Sequence, residues 1–249
     1  MKTCWAACLG DCSDTISGEH IITEGVHTTD TIRVKGLSWC LDDFKTIGLA
    51  SFVRNVLCTS HNSRLSVADA GAIQLRDALC ESASLSEARK VMQPQDWQVK
   101  RFAVNGGALE RWCLKTLITI AFGGQAPIGD GDRQPGKPSR TLVEIAFGLR
   151  QFQPPRAGLH WMGDAGDTIN VTEGVVVTTF LDNAKSLAGA RFWFWGLTFL
   201  LILDEGPTGP FSFTSLDRKQ TIQPTTVHHP RKLGVGVHGR ESHSLEFVW

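Results

Sequence analysis

The sequence has neither an excess of charge of one sign nor a long hydrophobic run. Lysine plus arginine and aspartate plus glutamate both number 25, and the isoelectric point is near 7.1. A balanced chain has no overall positive field to attract nucleic acid, so any such binding must come from a local basic patch. The most apolar stretch, residues 192–203, is well short of the roughly 20 residues that a membrane-spanning helix needs. We therefore expect no membrane insertion and interpret this stretch as a pair of buried strands.

The N-terminus lacks the features of a secretory signal. Residues 1–5 are not followed by an apolar run and a small-residue cleavage site, which predicts a cytoplasmic protein. Internal repeats and low-complexity tracts are also missing. The chain of 249 residues, 42% of them hydrophobic, is long enough to bury a core without disulfide staples. This composition excludes a wholly disordered chain, a collagen-like chain and a small disulfide scaffold.

The composition and the hydrophobic pattern of the sequence change along the chain, and together they predict an α+β protein. Residues 1–75, rich in cysteine, histidine and short turns, are predicted to form a metal-binding module. Residues 76–249 are predicted to form an α+β domain of unknown role, with helices over 76–150 and mainly strands over 155–249. Apolar residues recur at helical spacing over 70–83, 84–92, 107–118 and 141–148.

Two local patterns refine this prediction. Ser84 begins a Ser-x-x-Glu sequence, a capping-type start that suggests a separate helix after residue 83. Runs rich in β-branched and aromatic residues, separated by turn-forming residues, cover 158–163, 167–182, 191–205, 211–216 and 243–249. We predict that these runs form an antiparallel sheet on which the helices pack.

Clustered cysteines predict a structural zinc site. Seven cysteines are present, and in a cytosolic chain such clusters more often bind metal than form disulfides. Zinc takes four tetrahedral nitrogen or sulfur ligands, commonly as two pairs of short spacing. Cys58 and His61 form one pair, with two residues between them. The other pair comes from Cys4, Cys8 and Cys12, and the equal spacing of these three does not choose among them.

The dipeptide Glu19-His20 and the later Asn62 are candidates for chemistry. Adjacent residues of a regular strand point to opposite faces, but at a strand end or a bulge both side chains can reach one phosphate. Simpler interpretations exist for each. Glu19-His20 could be a surface dipeptide, and Asn62 could cap the helix that follows it.

Taken together, residues 4–62 resemble the HNH nuclease family, which has the ββα-metal fold. In that family a cysteine pair precedes an Asp/Glu-His dipeptide and apolar residues, and Leu-Cys-x2-Cys/His-Asn later begins a helix. The matching parts are Cys4 and Cys8, Glu19-His20-Ile21-Ile22, and Leu57-Cys58-x2-His61-Asn62. The family's usual distance between the cysteine pair and the acidic residue mildly favours Cys4 and Cys8 over Cys12. Parts of residues 35–72 also resemble uncharacterised bacterial proteins with an HNH-type N-terminus.

The resemblance implies a metal-dependent endonuclease that acts on DNA. Glu19 and Asn62 match the ligands of a catalytic divalent cation, Mg²⁺ or Mn²⁺. His20 matches the general base, and the ordinary pKa of histidine, about 6.5, suits that role at neutral pH. Asn55 is the candidate for orienting His20. The C-terminal domain would supply recognition or protein-partner contacts.

The sequence departs from the family pattern at several points. Asn55 lies three residues before Cys58, where the family has about five, and 37 residues separate His20 from Cys58, which implies an insertion around 35–48. Glu19 replaces the commoner aspartate. Residues 1–75 contain 6 lysines and arginines against 8 acidic residues, which is poor for binding phosphate. An RNA nuclease and a non-catalytic zinc-stabilised binding or regulatory module therefore stay as alternatives.

Overall fold

The computed structural model confirms a mixed α+β protein. It describes residues 4–34, 40, 43–93, 96, 99–129, 134–153, 156–163, 174–182, 186–203, 213–214, 221–222, 226–235 and 243–249. Parts of three predicted strands, namely 167–173, 204–205, 211–212 and 215–216, and most of 35–42 lie outside these residues. No helix in the described ranges is both long and apolar enough to cross a membrane.

Three helices and fourteen strands occur in the described ranges. The helices are α1 (Thr59–Ala88), α2 (Gly106–Ala121) and α3 (Arg140–Ala146). The first seven strands are β1 (Ile16–His20), β2 (Thr31–Val34), β3 (Lys45–Gly48), β4 (Val53–Cys58), β5 (Arg101–Asn105), β6 (Gly158–Met162) and β7 (Val175–Leu181). The others are β8 (Leu187–Phe194), β9 (Leu197–Ile202), β10 (Phe213–Thr214), β11 (Thr221–Ile222), β12 (Thr226–His228), β13 (Lys232–Val235) and β14 (His243–Val248).

A strand pair and a long helix dominate the N-terminal region. β1 pairs antiparallel with β4, and the register shifts between Ser17 and Glu19, where Gly18 faces two residues of β4. The insertion between these strands contains the antiparallel pair β2 and β3. α1 begins at Thr59, directly after β4.

α1 is a single helix where the sequence predicts two pieces. The separate start at Ser84 is wrong, because the Ser84 hydroxyl donates to the Cys80 carbonyl at 3.0 Å, a bond that a serine makes inside a continuing helix. The predicted boundary between residues 75 and 76 also falls within α1. The division of the chain at that point stays a prediction.

α2 connects the N-terminal region with the C-terminal sheets. The Asn105 side chain caps this helix by accepting from the Ala108 amide at 2.9 Å. The helix is buried on almost every side and packs along α1. On its other side, the Trp112 ring lies 5.7 Å from that of Phe192 and 5.8 Å from that of Phe194, measured between centroids. One hydrophobic core thus joins both regions.

The C-terminal strands form a five-stranded antiparallel sheet in the order β12-β6-β9-β8-β7. Its centre confirms the buried strand pair, because β8 and β9 are joined by Trp195 and Gly196, with φ values of 53° and 95°. Two positive φ values suit the tight turns that match strand twist. The last strand differs from the prediction. β14 pairs parallel with β5, a strand inside the region predicted to be helical, and antiparallel with β13.

Candidate functional site

Four potential metal ligands converge beside the start of α1. The sulfurs of Cys4, Cys12 and Cys58 and one ring nitrogen of His61 all lie within 4.8 Å of one another. His61 Nδ1 lies 3.2 Å from Cys58 Sγ, 3.3 Å from Cys4 Sγ and 3.7 Å from Cys12 Sγ. Three sulfurs and one imidazole are a known donor set for structural zinc. This group, the cysteine–histidine cluster, could therefore hold a metal ion such as zinc.

Local structure explains how distant residues meet in this cluster. Cys58 ends β4 and His61 lies in the first turn of α1, so their short spacing places both at one strand–helix junction. The N-terminal segment docks on the same strand, because the Trp5 amide donates to the Val56 carbonyl at 2.9 Å. Cys4 is buried at this contact.

The structure also distinguishes among the three N-terminal cysteines. Cys8 is exposed in the short 3-10 turn Ala7–Leu9, and its thiol is not part of the cluster. Gly10 and Asp11 then adopt φ values of 79° and 53°, and this left-handed turn carries Cys12 back to the cluster. The prediction that Cys8 rather than Cys12 is the second ligand is wrong. It rests on the distance along the sequence that is usual in the family, and such a distance does not reveal a turn of this kind.

The electrostatics of the cluster favour a bound cation. Burial opposes ionisation of Cys58, but hydrogen bonds from the backbone of His61 and from Ser13 outweigh it and lower the pKa of Cys58 to about 6. Burial and the neighbouring sulfurs of Cys4 and Cys58 raise the pKa of Cys12 to about 12. Burial also raises the pKa of Cys4. One thiolate is thus favoured without a metal, whereas holding three thiolates together requires a cation.

A cavity of about 310 Å³ brings three predicted residues together. Glu19, His20 and Asn62 all line it, together with residues from the loop after β1, the first turns of α1, and α2. Glu19 and His20 are the last two residues of β1, and at a strand end the side chains of consecutive residues need not point to opposite faces as they do in a regular strand. The Asn62 amide nitrogen donates to the Ser17 hydroxyl at 3.0 Å, which fastens α1 to β1.

The positions of Glu19 and Asn62 exclude the simpler interpretations of these two residues. Asn62 lies inside α1 and bonds to Ser17, so it is not the helix cap; Cys58 occupies the capping position. Glu19 is only 4% exposed, which is incompatible with a surface dipeptide. Asn55 is exposed and does not line the cavity. The Asn55 side chain lies beside Gly18 of β1: its Oδ1 would be 3.6 Å from a Cβ atom at that position.

A buried ion-pair network, which the sequence analysis did not identify, forms one wall of the cavity. The Lys115 ammonium, from α2, contacts Glu19 Oε1 and lies 2.7 and 2.8 Å from the two carboxylate oxygens of Asp69. The Thr23 hydroxyl donates to Asp69, and the Trp112 indole donates to Thr23 at 2.8 Å. Burial raises the pKa of Glu19 despite the opposing effect of Lys115. The sequence feature that could have indicated this network is Lys115, a single charged residue within a largely apolar stretch of the helix.

A second polar group lies outside this cavity. Glu110 Oε2 lies 2.7 Å from His229 Nε2 and accepts from the Leu159 amide at 2.7 Å. The His229 ring stacks on those of His228 and Trp249, with centroids 3.8 and 4.0 Å away. These contacts tie α2 to the C-terminal strands.

Comparisons with known proteins leave the family undecided. No protein-family model, no curated protein and no solved structure matches the chain. The resemblance to HNH nucleases therefore stays a prediction.

Proposed function

We propose that the protein is a metal-dependent endonuclease of the HNH type that hydrolyses phosphodiester bonds in DNA, with His20 as the general base. The observation that carries this proposal is that Glu19, His20 and Asn62 line one cavity. A module that only binds a partner has no need to bring a carboxylate, an imidazole and an amide to one cavity.

The order of the surrounding elements supports an HNH-type ββα-metal module. β1 carries Glu19 and His20, its antiparallel partner β4 leads directly into α1, and the first turn of α1 carries Asn62. The cysteine–histidine cluster lies at the β4–α1 junction, where the family places its structural zinc. Zinc bound there would fix the start of α1 and hence the direction of Asn62 toward the cavity.

Each residue has a distinct task in the proposed reaction. The half-buried His20 imidazole would take a proton from the water that attacks the phosphodiester. Glu19 and Asn62 offer the oxygen donors that Mg²⁺ and Mn²⁺ accept, and would hold such a cation. The cation, when bound, stabilises negative charge on the phosphate oxygens. Ser17 holds Asn62 in place through its hydroxyl.

The charges of the cavity support the need for a cation. Its lining residues include the three carboxylates of Glu19, Glu24 and Asp69 and the single ammonium of Lys115. With neutral histidine these groups sum to a net negative charge, which repels a phosphodiester. A divalent cation reduces that repulsion where the substrate binds.

A plasmid assay tests this proposal. Zinc-loaded wild type should nick supercoiled plasmid in Mg²⁺ or Mn²⁺, and His20→Ala should lose most of this activity, about 10²-fold or more for a general base. His228→Ala is a matched control, because this half-buried histidine does not line the cavity. Equal nicking by wild type and His20→Ala, or cleavage of neither plasmid nor RNA by wild type, would refute the catalytic claim. Cleavage of RNA but not of plasmid would make RNA the substrate, and the proposed reaction would stay the same.

A second candidate function follows from the ion pair between Glu19 and Lys115. This buried pair gives Glu19 a structural role, as expected for a non-catalytic zinc-stabilised binding or regulatory module. Such a module would hold zinc and fold normally, yet it would nick neither plasmid nor RNA. In either case the C-terminal α+β region is the candidate surface for partner contacts.

A further inference from the structure

We propose that Lys115 is a positioning residue whose ammonium fills the place between Glu19 and Asp69 that a divalent cation takes, so that cation binding must displace it. This inference rests on the proposed function, which gives Glu19 to a catalytic cation. It adds a residue from α2 that the HNH-type motif does not contain.

The contacts of Lys115 show that the ammonium is fully engaged. An ammonium has three N–H donors, and Lys115 Nζ faces three carboxylate oxygens, one from Glu19 and two from Asp69. Its side chain is 3% exposed and that of Glu19 is 5% exposed. No donor is left for a substrate phosphate, and the Glu19 oxygen in this contact already has a cationic partner.

The charges of the three groups show why a divalent cation can compete. Two carboxylates and one ammonium sum to one negative charge in a largely buried place. A divalent cation in place of the ammonium brings the sum to zero, and the displaced ammonium moves into the adjoining cavity, which Lys115 lines. Buried charge is costly unless it is paired, so the exchange removes an unpaired negative charge.

The network around Asp69 keeps both carboxylates directed at this point. The Thr23 hydroxyl donates to Asp69 and is held by the Trp112 indole at 2.8 Å, so the Asp69 carboxylate is fixed independently of Lys115. Glu19 is held by β1, where it pairs with Arg54 of β4. Removal of the ammonium would therefore leave two oriented carboxylates facing each other.

Manganese binding measures the competition without any use of activity. Zinc-loaded wild type and Lys115→Met are titrated with Mn²⁺, and the loss of the free Mn²⁺ signal in electron paramagnetic resonance gives the affinity. We expect Lys115→Met to bind Mn²⁺ at least tenfold more tightly than wild type, and Mn²⁺ to raise its melting temperature more. Lys100→Met is the matched control, because Lys100 pairs with Glu81 at an exposed position.

Unchanged or weaker Mn²⁺ binding by Lys115→Met would overturn the proposal. A Lys115→Met protein that stays unfolded in Mn²⁺ would overturn it as well, because the cation then does not replace the ammonium. Asp69→Asn provides a second measurement, since loss of one carboxylate should weaken Mn²⁺ binding at least tenfold; unaltered affinity would contradict the inference. His20→Ala decides the nuclease proposal separately, because His20 takes no part in this ion-pair network.

Discussion

Replacement of single cysteines tests the cysteine–histidine cluster most directly. Cys12→Ser and Cys58→Ser each remove one of four ligands, and zinc content should fall from about one per chain to a small fraction. A ligand present at 100 to 1,000 times its dissociation constant stabilises the folded state by about 3–4 kcal/mol. For a chain of this size, that loss lowers Tm by about 10 °C. Elemental analysis and thermal unfolding in zinc-containing buffer measure both effects.

The matched control for this experiment is Cys8→Ser. Cys8 is exposed in the turn Ala7–Leu9, outside the cluster, so its replacement should leave zinc content and Tm as in wild type. Loss of zinc by Cys8→Ser together with its retention by Cys12→Ser would refute the geometry described above. A folded wild-type protein that binds no zinc would refute the cluster as a metal site.

Three further predictions concern stability. Gly71→Ala should cost about 1–3 kcal/mol in chemical denaturation, because the new Cβ would lie 2.7 Å from Ala108 Cβ, where α1 crosses α2. Asn105→Ala should cost about 1 kcal/mol in the same assay through the lost cap of α2, and Asn105→Ser should recover most of it. Burial lowers the pKa values of His160 and His228, so the unfolded chain binds more protons below about pH 6.5 and stability should fall as the pH falls from 7 toward 5. A flat profile, or one identical in His228→Gln, would contradict that reasoning.

The sequence predicted those features that short segments determine. Cys58 and His61 have two residues between them at a strand–helix junction, so their spacing alone predicts half of the cluster that could hold a metal. The run at 192–203 combines aromatic and aliphatic residues with a Trp-Gly turn, and the structure confirms a buried pair of strands there. Positions such as these depend on local chain geometry, which residue spacing records.

Features that depend on distant contacts were not predictable in the same way. Cys12 rather than Cys8 belongs to the cysteine–histidine cluster, because two residues, Gly10 and Asp11, adopt left-handed φ values. Lys115 is a lone charge in a largely apolar stretch of helix, but nothing near it in sequence reveals that Glu19 and Asp69 meet it. β14 pairs with β5 across most of the chain, a contact that no local pattern encodes.

The first turn of α1 couples the cysteine–histidine cluster to the cavity. His61 and Asn62 are adjacent, and successive helical residues point about 100° apart, so one turn presents an imidazole to the sulfurs and an amide to the cavity. The Ser13 hydroxyl accepts from the Ser60 amide at 3.2 Å, which anchors the same turn from outside. A metal ion in the cluster would therefore set the direction of Asn62 without touching it. Lys115 of α2 also lines the cavity, so the cavity depends on the packing of α1 against α2 as well as on the residues of the cluster.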